Sequence, residues 1–202
     1  MPKSAGRSGQ LRLIGGRFRG RRLPIPHQTG LRPTTDRTRE TLFNWLAPII
    51  EGSRCLDCFA GSGALGLEAA SRGAARVVMI EHAAAVARQL RANAALLGAD
   101  AGEVIHADAL GWLSAQPPQP FDVVFLDPPF GLDLLAPSCA LLHRRGWVHP
   151  GSRVYLELPG AAEPPTLPAD WQLIRDKRAG QVRFALVAVE RAGDAAGTQP
   201  VP

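Results

Sequence analysis

Residues 57–66 read DCFAGSGALG, Asp57 to Gly66, between the short apolar run SRCL and the helix-like segment GLEAASRG that ends at Gly73. Gly61, Gly63 and Gly66 fit the spacing G-x-G-x-x-G. Glycines placed so let a chain leaving a strand turn sharply into a helix, and let a ligand come close to the backbone at that turn. A strand, a glycine turn and a helix make the first half of a βαβ unit, so the segment predicts the first crossover of a parallel sheet.

The pattern continues on the C-terminal side. ARVVMIEH (75–82), GEVIHADA (102–109), FDVVFLDPP (121–129) and SRVYLELP (152–159) read as strands. AAAVARQLRANAALLG (83–98), LGWLSAQ (110–116) and LDLLAPSCALLHRRG (132–146) read as the helices between them. Strands alternating with helices imply a sheet covered on both faces. WQLIRDKRAGQVRFALVAVER (171–191) then reads as two longer strands turning at Ala179-Gly180, an antiparallel hairpin. On the N-terminal side, TTDRTRETLFNWLAPII has helical spacing: Leu42, Phe43, Leu46 and Ile49 share a face, and residues 34–36 can cap the start. The expected division is a disordered tail at 1–10, a basic arm at 11–33, one domain at 34–191 and a flexible tail at 192–202.

The strand ends carry the chemistry. Glu81 closes the second strand, where an acid can take both hydroxyls of a ribose. Asp57 closes the first and could meet a cationic cofactor end. Asp108, with Ala109 beside it, closes the third and is placed for an adenine amino group. Together with Gly61 and Gly63 these residues favour S-adenosylmethionine over a nicotinamide dinucleotide. The fourth strand stops at Asp127-Pro128-Pro129-Phe130. The prolines fix φ and lack N–H groups, so this loop is stiff and the Pro128 carbonyl is free to accept. Asp127 adds a carboxylate, and Phe130 a face on which a base can stack. Two acceptors and a stacking plate suit a planar ring bearing an exocyclic amine.

The net charge of +5 is unevenly spread. Residues 1–40 hold ten Lys and Arg against two Asp and Glu, and the remainder is net acidic. Concentrated basic charge is the footprint of a nucleic-acid binder. LRLIGGRFRGRRLPIP interleaves Arg12, Arg17, Arg19, Arg21 and Arg22 with apolar residues and glycines, as a short β-hairpin would, and Arg32 follows. No apolar run reaches the roughly 18 residues that span a bilayer, so a cytoplasmic protein without membrane contact is expected. The Cys55-x-x-Cys58 pair has no second pair and no histidine cluster, so it reads as packing cysteines and no metal is expected.

Asp-Pro-Pro-Phe resembles the [DNS]-P-P-[YFW] loop of amino-methyltransferases. IGGRFRGRRL, RPTTDRTRETLFNWL, DCFAGSGALGLEAASRGA, DPPF and the final hairpin, in that order, resemble the RsmD-type family that methylates guanine N2 in bacterial 16S ribosomal RNA. The likeness spans residues 11–191. It implies a class I, Rossmann-like methyltransferase fold: a mostly parallel seven-stranded sheet with a C-terminal antiparallel hairpin and a small N-terminal β-hairpin arm. It further implies Asp127, Pro128, Pro129 and Phe130 as the catalytic loop, with Asp57, Gly61, Gly63, Glu81 and Asp108 holding S-adenosylmethionine. Arg32, Pro33 and Thr34 would line the cleft. The implied substrate is the guanine conventionally numbered 966, in the small ribosomal subunit or its assembly intermediate, and a monomer is the expected form. A dehydrogenase, a DNA adenine-N6 methyltransferase and a non-catalytic RNA-binding protein are the alternatives. The first leaves Asp-Pro-Pro-Phe unexplained, the second differs in its arm, and the third leaves Asp127 idle.

Overall fold

In the computed structural model, residues 9–25 and 35–191 are described. Seven strands form one sheet in the order β5-β4-β3-β6-β7-β9-β8. β3 (Arg54–Asp57), β4 (Arg76–Glu81), β5 (Gly102–His106), β6 (Phe121–Leu126) and β7 (Val148–Pro159) run parallel. β8 (Trp171–Ala179) and β9 (Val182–Val189) form the antiparallel hairpin, and β9 lies between β7 and β8. The expected sheet is therefore present. The chain reverses direction between β3, whose neighbours are β4 and β6, so the carboxyl ends of these three strands open onto one crevice.

The helices cover both faces. α1 (Asp36–Leu46), α2 (Gly66–Ser71) and α3 (Ala84–Leu97) pack on the face of Cys55, Phe125 and Tyr155. α4 (Ala109–Ala115) and α5 (Leu135–Arg145) pack on the face of Leu56, Val124 and Leu156. α1 starts at an N-cap on Thr35, whose hydroxyl accepts from the Thr38 amide. It buries Leu42, Phe43 and Leu46, while Ile49 falls in the turn beyond it and is only partly buried. α3 ends on Gly98 at φ 60°, the left-handed closure that its position predicts.

The N-terminal hairpin pairs β1 (Gly9–Arg12) with β2 (Arg22–Ile25). Gly9 and Gln10 are paired with Ile25 and Pro24, so the ordered hairpin begins inside the segment expected to be a tail. The hairpin is no loose arm. Leu11, Leu13, Phe18, Leu23 and Ile25 all belong to the main core, with Leu13 and Leu23 fully buried. Its turn is fastened to the end of α2: the Arg17 amide donates to the Ser71 carbonyl, the Phe18 amide to Ser71 Oγ, and Ser71 Oγ to the Gly15 carbonyl. Beneath it, the fully buried Glu68 accepts from the Ile14 amide at 2.9 Å and from Arg72 Nε at 2.8 Å. The Arg39 guanidinium, also buried, lies 3.9 Å from Glu68 and donates to the Arg12 carbonyl and to Asp36. One acid thus joins the hairpin, α1 and α2, and its charge is met by two arginines and an amide.

This attachment separates two kinds of residue in the hairpin. Leu13→Ala should cost about 2–5 kcal/mol of unfolding free energy in a denaturant titration, while Arg19→Ala, on the exposed face, should change it by less than about 0.5 kcal/mol.

Candidate active site

The glycine turn sits where β3 ends, and two acids hold its shape. Asp57 is 1% exposed, and its Oδ2 accepts from the Gly66 amide at 3.0 Å. Glu81, 7% exposed, closes β4; its Oε2 accepts from the Gly61 amide at 2.9 Å and its Oε1 from the Ala83 amide at 2.7 Å. Gly61 and Gly63 have φ of 50° and 81°, where a side chain is disfavoured. Gly66 is needed for space: a Cβ there would lie 2.5 Å from Met79 and 3.3 Å from Asp57 Oδ2. The three glycines therefore have different duties, two of conformation and one of close packing.

Two expectations change here. Asp57 faces inward and supports the turn from below, so the direct meeting with a cationic ligand end expected from its strand-end position is not the arrangement found. The Gly61 amide, expected to face a ligand, is satisfied by Glu81. Burial pushes the Asp57 carboxyl up to about 7, a rise its backbone hydrogen bonds only partly offset. Its Oδ1 is buried and has no hydrogen-bond partner.

Asp108 is the N-cap of α4, with Oδ1 accepting from the Gly111 amide at 2.7 Å, and is exposed toward the crevice end of the sheet. Ala109, the first residue of the helix, is buried behind it. Glu81 and Asp108 thus close adjacent parallel strands with oxygens at the crevice. This set of acceptors suits a ligand whose recognised groups are donors: ribose hydroxyls, an adenine amine and a cationic far end. It would oppose a pyrophosphate.

The loop after β6 lies next to that turn. Phe125 pairs with Asp57 in the parallel ladder, and the Cys58 amide donates to the Phe125 carbonyl. Asp127 is half-buried at the mouth, Pro128 is buried, and Pro129 is exposed. Phe130 is 44% exposed, one of few large apolar side chains left to solvent. The structure therefore brings the expected catalytic loop and the expected cofactor turn to one crevice. Arg32, Pro33 and Thr34 lie outside the described residues.

The arginines are less uniform than their spacing implied. Arg12 is paired with Asp36 at 2.6 Å, Arg17 lies over the Phe18 ring, and Arg21 donates to the Leu96 carbonyl. Arg19 and Arg22 are exposed. All five project from the outer side of a hairpin whose inner side is core. Sequence reasoning missed Glu68, Arg39 and the pair Tyr155–Glu157, whose hydroxyl and carboxylate meet at 2.6 Å in the interior near Asp127. Their only signal was a polar residue inside an apolar run. Among the described residues no group of three or more His, Cys, Asp or Glu side chains could hold a metal ion. Cys55, Cys58 and Cys139 are free and buried, with burial raising the Cys55 and Cys139 thiols to about 12. Among the described residues no helix is long and apolar enough to cross a membrane.

Residues 11–188 match the family described as conserved hypothetical protein 95. Ribosomal RNA small subunit methyltransferase D of Escherichia coli is 51% identical over 187 residues, covering 93% of this chain and 94% of that one. The solved structure of the Escherichia coli protein yhhF superposes with a TM-score of 0.85 at 49% identity, covering 91% of this chain and 100% of that one. The architecture extends to an RNA methyltransferase from Salinibacter ruber in complex with S-adenosyl-L-homocysteine, at a TM-score of 0.61 and 20% identity, covering 80% of this chain and 95% of that one.

The raised Asp57 carboxyl has a pH consequence. The folded state holds this proton up to about pH 7, the unfolded chain only to about pH 4. Asp57 therefore favours folding most at low pH, and that contribution is lost as pH rises from about 4 through 7. Thermal melts of the wild type and Asp57→Asn across this range should diverge, the wild type losing stability relative to the variant as pH increases. Parallel curves would mean that Asp57 does not titrate there.

Proposed function

The chain belongs to the RsmD-type family of ribosomal RNA methyltransferases, and from that premise we propose that it transfers a methyl group from S-adenosylmethionine to the exocyclic N2 of the family's target guanine in 16S ribosomal RNA. The observation that carries this reading is the meeting of Asp127–Phe130 and the glycine turn at one crevice, with Phe130 open to solvent.

S-adenosylmethionine, when bound, supplies an electrophilic sulfonium methyl. Glu81 and Asp108 offer acceptors for its ribose and adenine donors, and Asp57 acts indirectly by fixing the turn. The remaining work falls to the loop. An exocyclic amine on guanine is a poor nucleophile because its lone pair is delocalised into the ring. Hydrogen bonds from its protons to Asp127 and to the Pro128 carbonyl favour a pyramidal nitrogen and aim the lone pair. Phe130 stacks on the extruded base and offsets part of the cost of unstacking it. Positioning and the Asp127 charge, facing a nitrogen that becomes cationic, are the main catalytic contributions. Adenine N6 would present similar chemistry to this loop; the kinship to a ribosomal RNA enzyme over nearly the whole chain favours RNA.

The substrate is tested by incubating the protein with labelled S-adenosylmethionine and small-subunit particles lacking the modification, then mapping the labelled nucleotide. Label on another base, or only on DNA, would overturn the reading. Asp127→Ala should reduce turnover in this assay roughly 10²-fold or more by removing one preorganised acceptor, with little change in S-adenosylhomocysteine affinity by calorimetry.

The outer face of the hairpin is proposed to bind RNA phosphates. Deleting it would remove core leucines, so charge reversal is the cleaner test. Arg17→Glu, Arg19→Glu and Arg22→Glu combined should weaken RNA binding and flatten its dependence on salt, because each lost phosphate contact lowers the log–log slope by about 0.7–0.9. An unchanged slope would place the RNA elsewhere on the molecule.

A further inference from the structure

Beside the loop after β6 lies a buried acid with no part in the chemistry above. β6 and β7 are parallel with Leu126 opposite Leu156, so Asp127 and Glu157 follow as the next rung. Alternation along a strand sends both to the face of Phe125 and Tyr155, whose rings meet edge-on at 6.4 Å. Glu157 is 4% exposed, and Tyr155, fully buried, donates its hydroxyl to Glu157 Oε2 at 2.6 Å. The rung continues through Phe184 on β9 to Lys177 on β8. Phe184 stacks on Trp45 of α1 at 5.4 Å, closing the far side of Glu157 with aromatic surface.

A carboxylate enclosed in this way is costly unless it is bonded, and the short bond from Tyr155 favours its ionised form. Adjacent strands lie about 4.8 Å apart, within the range at which one carboxylate disfavours ionisation of another. The Tyr155 hydroxyl already registers both acids: its proton is held well above the ordinary tyrosine range by burial, by Glu157 and by Asp127. The other charges on the surrounding elements are placed or engaged differently. Asp57 on β3 lies one rung below and supports the turn. Glu81 on β4 and Glu68 on α2 accept backbone amides. Arg39 on α1 is bound to Asp36 and the Arg12 carbonyl. Arg183 on β9 points to the opposite face, bound to Asp176 and Glu163. Lys177 lies over the Trp45 ring.

We infer that Glu157, oriented by Tyr155, is a positioning residue that raises the proton affinity of Asp127. The inference rests on the proposed role of Asp127 in amine methylation. As the nitrogen lone pair forms the N–CH₃ bond, the S–CH₃ bond breaks and its electron pair stays on sulfur. The nitrogen then gives up one proton, which Asp127 takes as a carboxylic acid and later returns to water. A neighbouring negative charge makes Asp127 a stronger acceptor at both stages, first for the hydrogen bond and then for the proton.

The test is the pH dependence of single-turnover methylation, measured with the full chain, S-adenosylmethionine and unmodified small-subunit particles. Glu157→Gln removes the charge and keeps the shape. Its rate should fall, its S-adenosylhomocysteine affinity should not change, and the acid limb of its profile should move down by about one pH unit. Glu157→Asp, which keeps the charge, should restore the limb toward its wild-type position. If Glu157→Gln does not fold, Tyr155→Phe carries the test: without the hydroxyl, Glu157 competes for the first proton and the limb again moves down. An acid limb coincident with that of the wild type in the variants that fold, while Asp127→Asn is inactive, overturns the inference alone. Wild-type turnover by Asp127→Asn overturns the proposed role of Asp127 and the inference with it.

Discussion

Two buried carboxylates bear the constraint on which the rest of the site depends. Asp57 and Glu81 stand at the ends of adjacent parallel strands and accept from Gly66 and Gly61, opposite ends of one turn. Neither bond is strong taken singly, since a hydrogen bond to a charged group contributes about 1.5–3 kcal/mol. Their joint effect is geometric. With both ends of the turn fixed to the sheet, α2 must leave β3 at one angle, and Gly66 permits the approach. The position of α2 then sets Glu68 and Ser71, which in turn seat the hairpin. The cost is an acid whose burial lifts its carboxyl to about 7, strain of a kind that functional sites accumulate.

Much of this architecture was legible in the chain. Alternation of short apolar runs with helical segments, punctuated by Gly73, Gly98 and the prolines after Asp127, marked the sheet and its crossovers. The motif Gly61–Gly63–Gly66 located the crevice, because such spacing has few other uses after a strand. What stayed hidden depends on contacts between distant segments. Glu68 reads as an ordinary polar residue of a short helix; only the docked hairpin makes it a buried hub. Gly9 and Gln10 carry no strand signal of their own and are ordered by Ile25 and Pro24 across the turn. Asp57 and Glu157 were misjudged or missed for one reason: periodicity says which face a residue takes, but not which neighbour lies beside it. That information is in the register between strands.

The attached hairpin also changes how its arginines are understood. Spread along a free arm, they would have to be ordered when a ligand bound, at a cost of about 0.5–1.5 kcal/mol for each side chain fixed. Here the backbone is already fixed by Leu11, Leu13 and Leu23 in the core and by the bonds to Ser71. The charges stand on a plate whose position relative to the crevice is set by the same turn that shapes the cofactor side. A phosphate backbone lying on that plate would be held in a definite position relative to Phe130.

The insertion of β9 between β7 and β8 has a consequence for biosynthesis. The ribosome delivers β7, then β8, then β9, yet the partner of β7 is the last of the three. Until residues 182–189 have emerged, the apolar strand containing Val154, Tyr155 and Leu156 has an open edge, and β8 has no neighbour. An unpaired edge of that composition is a template for wrong partners. Phe184, which encloses Glu157, arrives with the same strand. The nascent chain therefore acquires a protected sheet and a finished cleft in one late step, and a ribosome that stalls shortly before β9 leaves a chain that is both sticky and inert.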